Sequence, residues 1–198
     1  MSKAVVNVVI AGVGGQGTLL ASRVLASAAI KAGCDVKVTE VHGMAQRGGS
    51  VVTQVRFGSR VYSPLIPQGE ADVVLAFELL EGLRWMPFLK KDGRIIVNRL
   101  RLNPLPVLIK AAQYPEDAEK FISETVKGAV FVNASEIAAQ MGEPRAANMV
   151  LLGALAAFLD LPSSAWQQAL AENFSPARLP VNQEAFAAGM KLGGGEIG

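Results

Sequence analysis

Cysteine and charged residues are scarce in this sequence, and each shortage excludes a class of protein. Cys34 is the only cysteine, so the chain alone forms no internal disulfide. It also lacks the set of thiolates that a zinc ion or an iron–sulfur cluster requires. Charged residues make up 18% of the 198 residues, and the formal net charge is only +2, with no block of lysine and arginine. The sequence therefore predicts no nucleic-acid-binding surface.

Long apolar runs are also missing. The two longest, residues 5–13 and 149–159, are well short of the ~18–20 residues that a membrane-spanning helix requires. Lys3 and the apolar residues after it superficially resemble a signal peptide, but the run is short and no small-residue cleavage pattern follows. We therefore expect a protein without a secretion signal that does not enter the membrane, in the reducing cytoplasm.

Apolar residues, in contrast, are plentiful. They account for 51% of the chain, and the mean hydropathy is +0.32. That content excludes a disordered protein, because burial of so much apolar surface can offset the loss of chain entropy. Together with the low charge it indicates that a partner covers part of the surface.

The hydrophobic pattern predicts a single α/β domain spanning residues 1–198, with a core of about 4–192. We expect a Rossmann-like three-layer fold with a mainly parallel sheet, an inserted β-hairpin and a helical C-terminal third. The hairpin is predicted from strands at 51–57 and 60–63 joined by Gly58 and Ser59. The other predicted strands are 5–11, 35–41, 71–77, 93–98 and 130–133, and the predicted helices are 18–31, 79–90, 116–126, 135–141, 146–159, 163–172 and 181–192.

A glycine-rich loop between the first strand and the first helix is the first candidate site. Gly12, Gly14 and Gly17 match the spacing of a dinucleotide-binding loop, in which free amides at a helix start bind phosphate. Gly15 lies within the same loop. Glu40 ends the second strand, near the ~20-residue separation expected of a ribose-binding acid. The alternative is that these glycines serve close packing of the helix on the sheet or on another subunit.

A second glycine-rich stretch directly follows Glu40. It contains His42, the only histidine, together with the polar residue Arg47. Any histidine-dependent acid–base step would fall to His42, although a structural or contact role is the simpler interpretation. Arg47 is a candidate partner for a carboxylate or phosphate, or for an intersubunit salt bridge. The remaining candidates in the stretch are Gly43, Met44, Gly48, Gly49 and Ser50.

Residues 11–17 and 40–51 together carry a family resemblance. The stretch from Glu40 through Ser50 is highly specific, and further matching segments lie at 61–66, 69–72, 103–107 and 148–153. The chain resembles the gamma-type domain of the 2-oxoacid:ferredoxin oxidoreductases from residue 4 to about 192. Within that family the resemblance is most marked for the beta subunits of the indolepyruvate enzymes.

The resemblance implies a subunit of an enzyme that converts indolepyruvate and related aryl 2-oxoacids with coenzyme A. The products would be arylacetyl-CoA and carbon dioxide, with ferredoxin as the electron acceptor. Thiamine diphosphate, magnesium and iron–sulfur clusters would lie on a larger alpha subunit, because this chain has one cysteine and no Gly-Asp-Gly motif. The implied assembly is a heteromer with two copies of each subunit.

The role of the two glycine loops within such an enzyme stays open at this point. They either dock on the alpha subunit and shape its substrate channel, which we favour, or bind a phosphate of coenzyme A through Gly14, Gly15, Gly17 and Arg47. Two other functions also remain: a nicotinamide- or flavin-dependent oxidoreductase that uses Glu40, and a regulatory module that senses a nucleotide or coenzyme A. No residue of this chain is assigned to catalysis, with His42 as the one candidate.

Overall fold

The computed structural model describes residues 4–42 and 49–194, and for His42 it describes the backbone alone. The described residues form six strands: β1 (Val6–Val13), β2 (Asp35–His42), β3 (Ser50–Gly58), β4 (Ala71–Ala76), β5 (Leu89–Asn98) and β6 (Val130–Val132). They also form eight α-helices: α1 (Thr18–Lys31), α2 (Leu79–Trp85), α3 (Leu105–Leu108), α4 (Ala118–Thr125), α5 (Ala134–Gln140), α6 (Ala147–Ala156), α7 (Ser163–Asn173) and α8 (Leu179–Gly193).

All six strands belong to one sheet with the order β2-β3-β1-β4-β5-β6. β1, β4, β5 and β6 are mutually parallel, whereas β3 runs antiparallel to both of its neighbours, β1 and β2. β2 is therefore parallel to β1 but separated from it by β3. The expectation of a mainly parallel sheet is confirmed.

The predicted hairpin has the wrong second strand. β3 pairs along its whole length with β2 and with β1, and residues 60–63 form no strand. The physical reason is that β3 is a largely buried strand, so the backbone amides and carbonyls on both of its edges need strand partners, and β1 and β2 supply these along its length. Residues 60–63 instead follow the end of β3, where the Val61 amide donates to Asp35 Oδ2 at 2.8 Å.

Helices cover both faces of the sheet, which confirms the three-layer arrangement. α1 and α6 pack on the face that carries Val8 and Ile10, with α5, α7 and α8 packed against these helices, and α2 and α4 lie on the side of the face that carries Val9 and Ala11. Alternate residues of β1 therefore enter two separate cores, as the two-residue period of a strand requires. The helical C-terminal third supplies most of the first core.

The predicted helix 79–90 is too long. α2 ends at Trp85, a single 3-10 turn follows at Met86–Phe88, and β5 begins at Leu89. Pro87 explains the early end, because it has no amide hydrogen to continue the helical ladder. Lys90 consequently lies in a strand, where its ammonium group contacts the Asp72 carboxylate.

None of the helices within the described ranges combines the length and the apolar character needed to cross a membrane.

Candidate functional site

The topology opens a crevice outside the carboxyl ends of β1 and β4. The helix after β1 packs on the face that carries Ile10, whereas the helix after β4 packs on the opposite face, which carries Val9. After these two adjacent parallel strands, the chain thus continues towards opposite faces of the sheet. In open α/β sheets this switch point is where ligands bind.

The loop between β1 and α1 is braced by Gln16. Its Oε1 accepts a hydrogen bond from the Val13 amide at 2.6 Å, and its Nε2 donates to the Phe77 carbonyl at 3.2 Å. A Cβ at Gly12 would lie only 2.8 Å from that Oε1 and 2.7 Å from Thr18 Cγ2. Gly12 is therefore required by packing beneath the loop.

The amides of the loop are not equally available to a ligand. Gly14 donates its amide to the Gly49 carbonyl at 2.9 Å, which joins the first glycine loop to the end of the second. Gly15 and Gly17 adopt φ angles of +96° and +82°, and their amides have no partner among the described residues. Of the three amides proposed for a phosphate, two therefore lack a partner within the described part of the chain.

Asn148, at the start of α6, lies directly against the start of α1. A Cβ at Gly17 would be 2.5 Å from Asn148 Nδ2, which itself donates to the Gly17 carbonyl at 3.4 Å. Asn148 is 4% exposed, and its Oδ1 has no hydrogen-bond partner among the described residues. An unpartnered buried acceptor is costly, so this oxygen is a candidate contact for a ligand donor or for water.

The crevice has a volume of about 460 Å³. Its rim carries Arg145 and Arg178, both exposed and without an ion pair in the described parts of the chain. The first turn of α1 contains no acidic residue. The positive end of a 14-residue helix and two guanidinium groups therefore favour an anion here, although Glu143 at the rim offsets part of the charge.

A buried carboxylate holds the start of β3. Ser50 donates its hydroxyl to Glu81 Oε2 at 2.6 Å, and Arg84 donates to Glu81 Oε1 at 2.6 Å. Glu81 is 1% exposed, so both hydrogen bonds are needed to compensate for its desolvation. The end of the second glycine-rich stretch is thus fixed at two points, Gly49 and Ser50.

A second buried carboxylate, Glu78, lies next to it. Glu78 Oε2 accepts from the Glu81 amide at 3.0 Å and so caps α2, while Oε1 accepts from the Leu102 amide at 3.1 Å and from the Tyr114 hydroxyl. Burial of the phenol, and then its hydrogen bond to Glu78, raise the pKa of Tyr114 well above its ordinary value. Tyr114 therefore acts as a neutral hydrogen-bond donor that holds the chain in place.

The structure brings together only part of the predicted site. Gly12, Gly14, Gly15 and Gly17 lie at the crevice or directly beneath it, and Gly49 and Ser50 adjoin it. Gly43, Met44, Arg47 and Gly48 lie outside the described residues, as does the side chain of His42, whose backbone pairs with Val51 at the end of β2.

Glu40 does not lie beside the glycine loop. It pairs with Thr53 of β3, and Thr53 pairs with Ile10 of β1, so two strand spacings, about 9–10 Å, separate Glu40 from the strand that carries the loop. In a dinucleotide-binding domain the corresponding two strands are neighbours. The insertion of β3 therefore removes the geometry that a ribose-binding acid requires.

Asn148, Arg145 and Arg178 were missed as site residues by reasoning from the residues themselves. They lie about 130 to 160 positions after Gly17 and reach the crevice only because α6 packs on α1 and α8 packs on α6. The one available signal was Asn148 itself, a polar residue directly before the apolar run Met149–Leu152.

No group of three or more histidine, cysteine, aspartate and glutamate side chains that could hold a metal ion occurs in the described ranges. Cys34 is partly buried against the first core. The single thiol cannot by itself hold a cluster that needs about four ligands.

Comparison with known proteins places the chain among oxidoreductase subunits. The family model of pyruvate ferredoxin/flavodoxin oxidoreductases matches residues 7–192. Indolepyruvate oxidoreductase subunit IorB of Pyrococcus horikoshii is 41% identical over 190 residues, covering 93% of this chain and 94% of the relative. The same subunit of Thermococcus kodakarensis is 40% identical over 190 residues, with coverage of 93% and 94%.

Solved structures agree in fold. The keto/oxoacid ferredoxin oxidoreductase gamma subunit of Geobacter sulfurreducens superposes with a TM-score of 0.71 at 22% identity, covering 95% of this chain and 98% of that one. The 2-oxoglutarate:ferredoxin oxidoreductase of Magnetococcus marinus gives 0.74 at 25% identity, covering 96% of this chain but 31% of that chain. The chain therefore belongs to the pyruvate ferredoxin/flavodoxin oxidoreductase family, as a gamma-type subunit similar to IorB.

Proposed function

We propose that this chain is the small subunit of an indolepyruvate:ferredoxin oxidoreductase. The reaction converts an aryl 2-oxoacid and coenzyme A to arylacetyl-CoA and carbon dioxide, and passes two electrons to ferredoxin. The observation that carries the proposal is the identity of about 40% to two IorB subunits over 93% of the chain. The lone cysteine supports placing the electron-carrying clusters on a larger partner subunit.

This chain would act by presenting its crevice edge to the partner's active site. The two glycine loops meet there through the hydrogen bond between Gly14 and Gly49, and Glu81 fixes Ser50 from below. Such an edge is rigid at its base and carries backbone that can approach another surface closely. Thiamine diphosphate on the partner would supply the carbanion chemistry, and this chain would shape the channel that leads to it.

Reconstitution tests the proposal. The purified chain is expected to be colourless and inactive with indolepyruvate, coenzyme A and ferredoxin, and to restore turnover when mixed with the larger indolepyruvate oxidoreductase subunit of the same organism. The larger subunit alone is the control. Turnover by the isolated small chain, or full activity of the large subunit without it, would contradict the proposal.

The same crevice would have a second role, which is to contact a phosphate of coenzyme A. The residues that favour this role are Asn148, Arg145 and Arg178. In the reconstituted enzyme, Arg178→Ala is then expected to raise the KM for coenzyme A about tenfold, because one charge-assisted hydrogen bond is lost, with little change in kcat. Arg60→Ala serves as the matched control, since β3 is antiparallel to β1 and Arg60, which follows β3, therefore lies towards the amino end of β1, away from the crevice. An unchanged KM for coenzyme A would leave docking and channel shaping as the only role.

A further inference from the structure

The segment between β5 and α4 exposes an unusual amount of apolar surface. Within it, Leu105, Leu108 and Ile109 are 68%, 65% and 64% exposed, and Leu102 is 37% exposed. Single exposed leucines are ordinary, but a contiguous exposed cluster of large aliphatic side chains marks an interaction surface.

The three most exposed side chains follow the period of a helix. Leu105, Leu108 and Ile109 occupy positions i, i+3 and i+4 of α3 and the residue that ends it, so they project from one face. This spacing is how a helix presents anchor residues to an apolar groove of a partner.

The backbone of the segment is already ordered without a partner. The amides of Leu108 and Ala111 donate to Pro104 and Pro106 at 3.1 Å and 2.8 Å, which closes the turn on itself. Lys110 adopts a φ of +60° to end the helix, a conformation that costs a non-glycine residue free energy. A pre-ordered binding element loses less entropy on association.

Both ends of the segment are fixed to one buried atom. Glu78 Oε1 accepts hydrogen bonds from the Leu102 amide on one side and from the Tyr114 hydroxyl on the other. Arg101 stacks 4.3 Å from the centre of the Tyr114 ring and pairs with Glu116 at 2.6 Å. Residues 102–113 therefore form a projection held firmly at its base, which we call the α3 projection.

The α3 projection continues the crevice edge. Leu100, two residues before it, lines the crevice, and the Leu100 carbonyl accepts from the Leu79 amide at the carboxyl end of β4. A partner that covers the crevice edge therefore also reaches the projection. In the Magnetococcus marinus structure the counterpart of this chain amounts to 31% of a longer polypeptide, so there the fold is joined to a much larger body.

We infer that the α3 projection, through Leu105, Leu108 and Ile109, inserts into an apolar groove of the larger oxidoreductase subunit and anchors the two chains together. This inference rests on the proposed function and identifies the contact through which the small subunit is held. The partner groove must be apolar, because the anchoring face offers three aliphatic side chains and no charge.

The test is assembly of the complete enzyme. The chain carrying Leu105→Asp and Leu108→Asp is mixed with the larger subunit of the same organism's indolepyruvate oxidoreductase, and the dissociation constant is measured by sedimentation. We expect it to rise at least about 100-fold, because two central anchors become charged. Ile30→Asp is the matched control: Ile30 is 61% exposed near the end of α1, which packs on β2 and β3 in the half of the sheet away from β5, and its replacement should leave the dissociation constant unchanged.

The melting temperatures of the isolated variants separate docking from folding, since exposed side chains contribute little to stability and both should melt like the wild type. Wild-type affinity of the double variant for the larger subunit would overturn the inference while the proposed function stood. If the double variant lost self-association but still formed the heteromer, the inference would be overturned, and the α3 projection would instead contact a second copy of this chain. If the wild-type chain did not bind the larger subunit at all, both this inference and the proposed function would be contradicted.

Discussion

Gly189→Ala is expected to lower the free energy of unfolding by at least about 3 kcal/mol, although alanine is the better helix former. A Cβ at Gly189 would lie 1.9 Å from the Val150 carbonyl oxygen, and one at Gly153, on the facing helix, would lie 2.0 Å from the Phe186 carbonyl oxygen. The obstruction is backbone on both sides, so no side-chain rotation relieves it. α6 and α8 must separate instead.

The expected sign follows from comparing two effects. Replacing glycine by alanine within a helix normally stabilises it by about 0.5–1 kcal/mol. Separating α6 from α8 opens the first core around Phe186, which is 5% exposed and packs at a tilt against Trp166 with 5.2 Å between the ring centres. Loss of that packing costs several times the gain in helix propensity.

Urea denaturation followed by circular dichroism measures the effect. Gly194→Ala is the matched control, because the nearest heavy atom to a Cβ there is the Met190 carbonyl oxygen at 3.6 Å, an ordinary contact. Its unfolding should resemble that of the wild type. If Gly189→Ala unfolded at the wild-type urea concentration, the close approach of α6 and α8 would not exist in solution.

Periodicity made most of the elements predictable. α1 was predicted at its observed bounds, because its apolar residues fall on one face and Gly33, at φ +78°, ends it. The predictions were wrong where the outcome depended on which distant segments pair in the tertiary structure. Residues 51–57 were predicted as a strand, but nothing in the sequence said that its two neighbours would be β1 and β2 rather than residues 60–63.

For the candidate site, too, the sequence predicted the residues that are close together along the chain but not those that distant elements bring in. Gly12 to Gly17 are close together in sequence, and the spacing of their glycines between a predicted strand and a predicted helix identifies the loop without a structure. Asn148 and Arg178 meet this loop only through packing of distant helices, which no local pattern encodes. Glu40 is the reverse case: its spacing from the glycine loop predicted a ribose contact, but β3 lies between β2 and β1 and keeps Glu40 away from that loop.

Glu78 is the second position where one substitution should have a large effect. Its carboxylate is 1% exposed and accepts hydrogen bonds from two backbone amides and from the Tyr114 hydroxyl. Glu78→Ala would leave all three donors without this partner, the Glu81 amide and the Tyr114 hydroxyl in buried positions, and would remove the cap of α2. We expect the free energy of unfolding to fall by about 3–5 kcal/mol, because each unpaired donor loses its full compensation for desolvation.

Two further variants show whether the hydrogen bonds are the cause. Tyr114→Phe removes a single donor and should cost about 1 kcal/mol, and combined with Glu78→Ala it should cost less than the sum, because the phenol is no longer unpaired. Glu136→Ala replaces an exposed acid in the first turn of α5 and should change the unfolding free energy little. Strict additivity of the Glu78 and Tyr114 substitutions would contradict their coupling. It would also leave the α3 projection without the fixed base from which it meets its partner.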